Sequence, residues 1–158
     1  MSKSTKIYLW VIAALFTVFA VSGTLISLFP PSEDRPEVLC MFRDLIGREN
    51  YNEFTSEYKI LFVDNNEDDG ALYPKLKQVR IKCSSEKRML IALCHEYGHY
   101  VALKTNCAES EKYISLFKTN EPIWYGNYDM TETAYTNIDE FCASYIGMWY
   151  YNGHKEIG

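Results

Sequence analysis

Residues 86–105 read E-K-R-M-L-I-A-L-C-H-E-Y-G-H-Y-V-A-L-K-T, and taking them as one helix decides how the rest of the chain is understood. Ser84 and Ser85 are good N-cap residues, and Glu86 sits favourably at the positive end of the macrodipole. Met89, Leu93, Tyr97 and Val101 recur at i, i+4 and form a stripe suited to packing on a core. Lys104 stands near the negative end, and Thr105-Asn106 lets the helix stop. Gly98 costs such a helix about 1 kcal/mol relative to Ala, a cost that makes sense if something must approach closely there.

At the centre of this helix lies His95-Glu96-Tyr97-Gly98-His99. A helix turns about 100° per residue, so positions i and i+4 share a face. His95 and His99 can thus aim two imidazole nitrogens at one point, as a tetrahedral Zn²⁺ requires. Glu96 sits between them and to one side, placed to take a proton from water rather than to ligate. Two of the three histidines of the whole chain fall in this pattern.

The surrounding sequence suggests an α+β domain over residues 31–158. Glu37–Ile46 has apolar residues at helical spacing, with Gly47 after its end. Arg48–Ser56 is polar with interspersed aromatics, compatible with a helical turn or a loop. Tyr58–Val63 reads as a strand, and Gln78–Cys83 alternates polar and apolar like a half-buried one. Asp64–Gly70 (D-N-N-E-D-D-G) fails the calcium-loop pattern, with Asp69 and Lys75 where Gly and Glu are needed, and reads as a hairpin turn. Ala108–Phe117 and Thr136–Tyr151 follow as helices, separated by an aromatic segment holding Trp124, Tyr125, Tyr128 and Tyr135. The expected sheet is short, antiparallel or mixed, and the strand just before the histidine helix is expected to border a cleft.

Ahead of this domain, Ile7–Phe29 is a run of 23 positions without a charge. That length spans a bilayer as a helix, so residues 1–30 are expected to form a cytoplasmic N-terminus and a transmembrane anchor. Lys3 and Lys6 before the run, against the acidic residues after it, put the domain on the outer face of the membrane. Secretion after signal cleavage near Ala20-Val21-Ser22 is the alternative. Residues 31–158 hold 14 basic against 21 acidic side chains, a net −7 that argues against a nucleic-acid partner. The five cysteines (Cys40, Cys83, Cys94, Cys107, Cys142) are odd in number and show no C-x-x-C spacing.

A catalytic zinc needs a third protein ligand beside an open position. His154, a cysteine and an acidic residue of the last helix are the candidates, and Glu140 is the choice. H-E-Y-G-H followed by Glu140-Phe141-Cys142-Ala143, an E-x-x-A, resembles the gluzincin peptidases. The lead-in R-I-K-C-S-S-E-K-R-M-L-I-A-L-C-H-E-Y-G-H-Y is most similar to the ImmA/IrrE family of small metallopeptidases. The second motif is also similar to that of HtpX-like peptidases. The resemblance covers about Tyr58–Ile146 and implies a zincin-like fold. It implies Zn²⁺ on His95, His99 and Glu140, Glu96 as catalytic base, and a protein or peptide substrate. Those families are typically soluble or many-spanning, and the run after the second motif departs from the usual one. The expectation is therefore a membrane-anchored zinc endopeptidase, with a membrane-tethered zinc-binding or interaction module as the alternative.

Overall fold

The computed structural model describes residues 34–153 except Asn65, and these belong to one compact unit, Glu33–Gly158. Helices α1 (Pro36–Ile46) and α2 (Arg48–Glu57) lead into strand β1 (Lys59–Val63). Strands β2 (Gly70–Tyr73) and β3 (Gln78–Lys82) follow, then the long helix α3 (Glu86–Thr105) and helix α4 (Glu111–Thr119). A two-stranded ribbon, β4 (Trp124–Tyr125) and β5 (Tyr128–Asp129), precedes the short helix α5 (Thr131–Ala134) and helix α6 (Ile138–Tyr151).

The α+β domain with a mixed sheet agrees with expectation, but the strand order does not follow the chain. β3 lies in the middle, parallel to β1 and antiparallel to β2. Asp64–Gly70 is therefore no hairpin turn. It carries the chain from β1 past β3 to the far edge, where Gly70 opens β2. The tight connection is instead the turn Pro74–Leu76, closed by Lys77 in the left-handed region at φ 51°.

α3 is the central element. Its N-cap is Ser85, whose Oγ accepts from the Arg88 N–H, and Asn106 closes it in the left-handed conformation. Every residue from Ile91 to Gly98 is buried, so neighbours wrap the helix instead of covering one stripe. On one side Tyr97 and Tyr100 join Phe42, Phe54 and Tyr58 in a cluster of edge-on and stacked rings at 4.9–6.1 Å. On another, α6 crosses so closely that a Cβ on Gly98 would lie 2.0 Å from the Ala143 carbonyl oxygen. A Cβ on Gly147 would lie 2.6 Å from the Cys94 carbonyl oxygen and 2.3 Å from the Tyr125 hydroxyl. Two glycines, one on each helix, thus let the two backbones meet. Cys107 and Cys142 are buried neighbours, the thiol of one hydrogen-bonded to the other, whereas Cys83 lies apart at the end of β3.

The fold differs from expectation in one further respect. Among the described residues no helix is long and apolar enough to cross a membrane, so a transmembrane helix ahead of the domain is not supported. α3 has 20 residues but carries Glu86, Lys87, Arg88, Glu96 and Lys104, a charge load that a bilayer core does not accept. The run over residues 7–29 lies outside the described residues, as does His154.

Replacing Gly98 with Ala sets two effects against each other. The helix gains about 1 kcal/mol of propensity. Forcing a methyl against a backbone oxygen typically costs about 1–3 kcal/mol, and more where neither backbone can yield. The clash wins: Gly98→Ala should lower unfolding stability by about 2 kcal/mol or more by urea denaturation. An unchanged midpoint would show that α3 and α6 do not pack this closely.

Candidate metal centre

The glycine-mediated crossing brings the first turn of α6 alongside the middle of α3. Asn137 caps α6, its Oδ1 accepting the Glu140 N–H at 2.9 Å, so neither Glu140 nor Asp139 is needed as the cap. The Glu140 carboxylate turns to the two histidines instead. One of its oxygens lies 3.2 Å from His95 Nε2 and the other 3.4 Å from His99 Nε2. The ligand atoms of His95, His99 and Glu140 all fall within 4.8 Å of one another. Donors about 2.0–2.1 Å from a tetrahedral ion stand roughly 3.3 Å apart, close to each of the two carboxylate–imidazole distances.

Two nitrogens and one carboxylate oxygen fit Zn²⁺, while the harder ions prefer all-oxygen sets. This donor set gives chemical grounds for a transition-metal dication without singling out zinc. His95 Nδ1 lies 3.3 Å from the hydroxyl of Ser144, a fully buried residue. Were Nε2 to hold a metal, Nδ1–H would donate to that oxygen and fix the ring's tautomer and tilt. The sequence reading missed Ser144. The signal was its place one helical turn after Glu140, on the same face of α6.

Glu96 stands apart from this trio and is only 4% exposed. Its carboxylate accepts a hydrogen bond from the Leu72 N–H and lies against Gly70, where a Cβ would come within 2.8 Å of Oε1. Gly70 therefore serves by having no side chain, not by an unusual backbone angle. Burial raises the Glu96 pKa, opposed by His95 and His99. A carboxyl whose charged form is disfavoured by burial holds a proton more readily than one in water.

The three groups open into a cleft of about 930 Å³. Its strand wall is β2, through Gly70, Ala71 and Leu72, and not Gln78–Cys83, which is interior to the sheet. The tyrosines of the aromatic segment separate. Tyr125 is fully buried and donates to the Ser144 carbonyl at 2.9 Å, and the Tyr135 hydroxyl donates to the Glu121 carbonyl. Tyr128 lines the cleft, where its side chain meets Arg88.

The trio shares charge even without a metal. Hydrogen bonds from His95 and His99 hold the Glu140 carboxyl well below the usual carboxylate range. Burial pulls the His99 pKa down, but the Glu140 hydrogen bond and the Glu96 charge outweigh it and raise the pKa overall. A depressed carboxyl stabilises the fold above about pH 4.3 and loses that contribution on acidification. A raised imidazole stabilises it fully below about pH 6.5 and loses that contribution as pH rises through its folded value. Metal-free protein should therefore lose thermal stability from pH 6 to pH 8. Protein given excess Zn²⁺ should gain it, because the metal must displace a proton from His99. Parallel slopes in the two melting series would show that no metal binds at these imidazoles. Ser144→Ala should weaken metal affinity about tenfold by competition with a chromogenic chelator.

Compared with known proteins, the chain matches no family model, no curated protein and no solved structure. What the site does must be argued from its own geometry.

Proposed function

We propose that this domain is a zinc-dependent peptidase that hydrolyses peptide bonds in a protein substrate. His95, His99 and Glu140 hold the metal, and Glu96 is the catalytic base. The observation that carries the reading is the pairing of a three-donor cluster with a fourth, buried carboxylate at the same cleft. Bound zinc supplies a Lewis acid for the scissile carbonyl and brings the pKa of its water to about 7.

The chain's own groups supply the rest. Glu96, aimed by the Leu72 N–H, takes the proton of the attacking water and returns it to the leaving amine. Among the described residues β2 is an edge strand, bonded to β3 alone. In its register Asp69 pairs with Lys82, which turns the backbone groups of Gly70 and the Leu72 carbonyl toward the free edge, the Leu72 N–H being taken by Glu96. An extended substrate can add to that edge as a further strand, beside the metal position. Tyr128 is the tyrosine available to a developing oxyanion.

A metal-binding module without catalysis is the second reading. It gives no use to Glu96, which is buried outside the ligand trio and, among the described residues, forms no ion pair with a lysine or arginine. The resemblance to gluzincin peptidases assigns that residue a task, and the geometry accommodates it.

Glu96→Gln keeps the shape and the Leu72 hydrogen bond but cannot carry the proton. Turnover of an unstructured protein such as casein should fall by about 10³-fold or more, with zinc content unchanged by mass spectrometry. Proteolysis at the wild-type rate by the zinc-loaded variant would refute the base role. Wild-type protein that binds zinc and cuts no polypeptide would favour the binding module.

A further inference from the structure

The floor of the cleft is a single face of α3. Arg88, Ala92, His95, His99, Leu103 and Asn106 all line it at spacings of three or four residues. At 1.5 Å per residue that face is about 27 Å long, room for about eight residues of extended chain. The histidines stand near its middle, with open floor on both sides. A site of this form takes an internal segment of a chain rather than its end. Toward the far end Leu103, 59% exposed, offers an apolar contact.

The walls carry one sign of charge. Six carboxylates line the cleft against one guanidinium, Arg88, which is bound to Asp69 at 3.0 Å. A dication on the trio would offset Glu96 and Glu140. Asp68, Glu109 and Asp139 remain, each exposed, and none is in an ion pair among the described residues. They come from three separate elements: the loop before β2, the turn Cys107–Glu109 after α3, and the first turn of α6. Carboxylates converging on a groove from several sides focus a negative potential along it.

Resting on the peptidase reading, we infer that the cleft selects internal, extended segments rich in lysine and arginine. Asp68, Glu109 and Asp139 set this preference by rejecting acidic segments as much as by attracting basic ones.

Three fluorogenic peptides of about ten residues, with one shared apolar centre and Lys, Gln or Glu flanks, test this on the zinc-loaded full chain. At low salt kcat/KM should favour Lys over Glu flanks by about tenfold or more. The ratio should shrink in about 0.5 M salt, where the screening length falls to about 4 Å. The double variant Asp68→Lys, Glu109→Lys should lower or invert it, with its fold checked by circular dichroism and its site by zinc content. Equal rates for the three peptides, or a ratio the double variant leaves unchanged, would overturn the inference while leaving the peptidase reading intact. If none is cut, that reading falls. Fluorescence anisotropy of the labelled peptides on zinc-loaded Glu96→Gln then decides the charge preference, with equal affinities overturning it.

Discussion

The close crossing of α3 and α6 is the constraint on which the rest depends. Helices packed through ordinary side chains stand 8–10 Å apart, and at that distance a carboxylate on one need not reach two imidazoles on the other. Gly98 against Ala143 and Gly147 against Cys94 bring the backbones together at two points one helical stretch apart. Glu140 and Ser144 flank the first of these contacts on α6, and His95 and His99 flank it on α3. The grouping of His95, His99 and Glu140 is thus a consequence of helix packing. Gly98, costly as a helix residue, is repaid by position.

A second close approach serves the fourth group. Gly70 and Ala92 are the small neighbours of Glu96, and their size lets the edge strand press against a carboxylate that would otherwise be solvated. Burial raises its pKa, and the Leu72 N–H gives one hydrogen bond in return. Glu140 is treated in the opposite way. It is half-buried but hydrogen-bonded by two imidazoles, which favour its charged form. Two carboxylates in one cleft, driven apart in proton affinity by their surroundings, can divide the labour between ligand and base.

How much of this was legible in the sequence follows from the range of the interactions involved. The histidine helix was readable because its cap, its periodicity and its i, i+4 pair are all local. Glu140 was readable as a choice among three candidates, since a catalytic metal wants a third ligand and a helix start offers one. The parallel pairing of β1 with β3 was not, because strand order is set by non-local contacts. β2 was hidden in G-A-L-Y, four residues without a polar–apolar pattern of their own. α2, R-E-N-Y-N-E-F-T-S-E, gave no clear sign because only Phe54 of its residues is buried. The aromatic segment was divided between core and cleft by tertiary placement alone: Tyr125 and Tyr128 are three residues apart, yet one supports α6 and the other faces the cleft.

The same arrangement explains why the charged centre does not unmake the fold. Burying a carboxylate and two imidazoles is costly unless each has a partner. Here each partner is supplied from the opposite helix: Glu140 for both rings, and Ser144 for the far nitrogen of His95. The Glu140 hydrogen bond and the Glu96 charge also favour a proton on His99, against the effect of burial. The crossing of α3 and α6 holds the ligand atoms of His95, His99 and Glu140 within 4.8 Å of one another, a grouping that could take a metal ion. The cluster is brought together by the packing of the two helices.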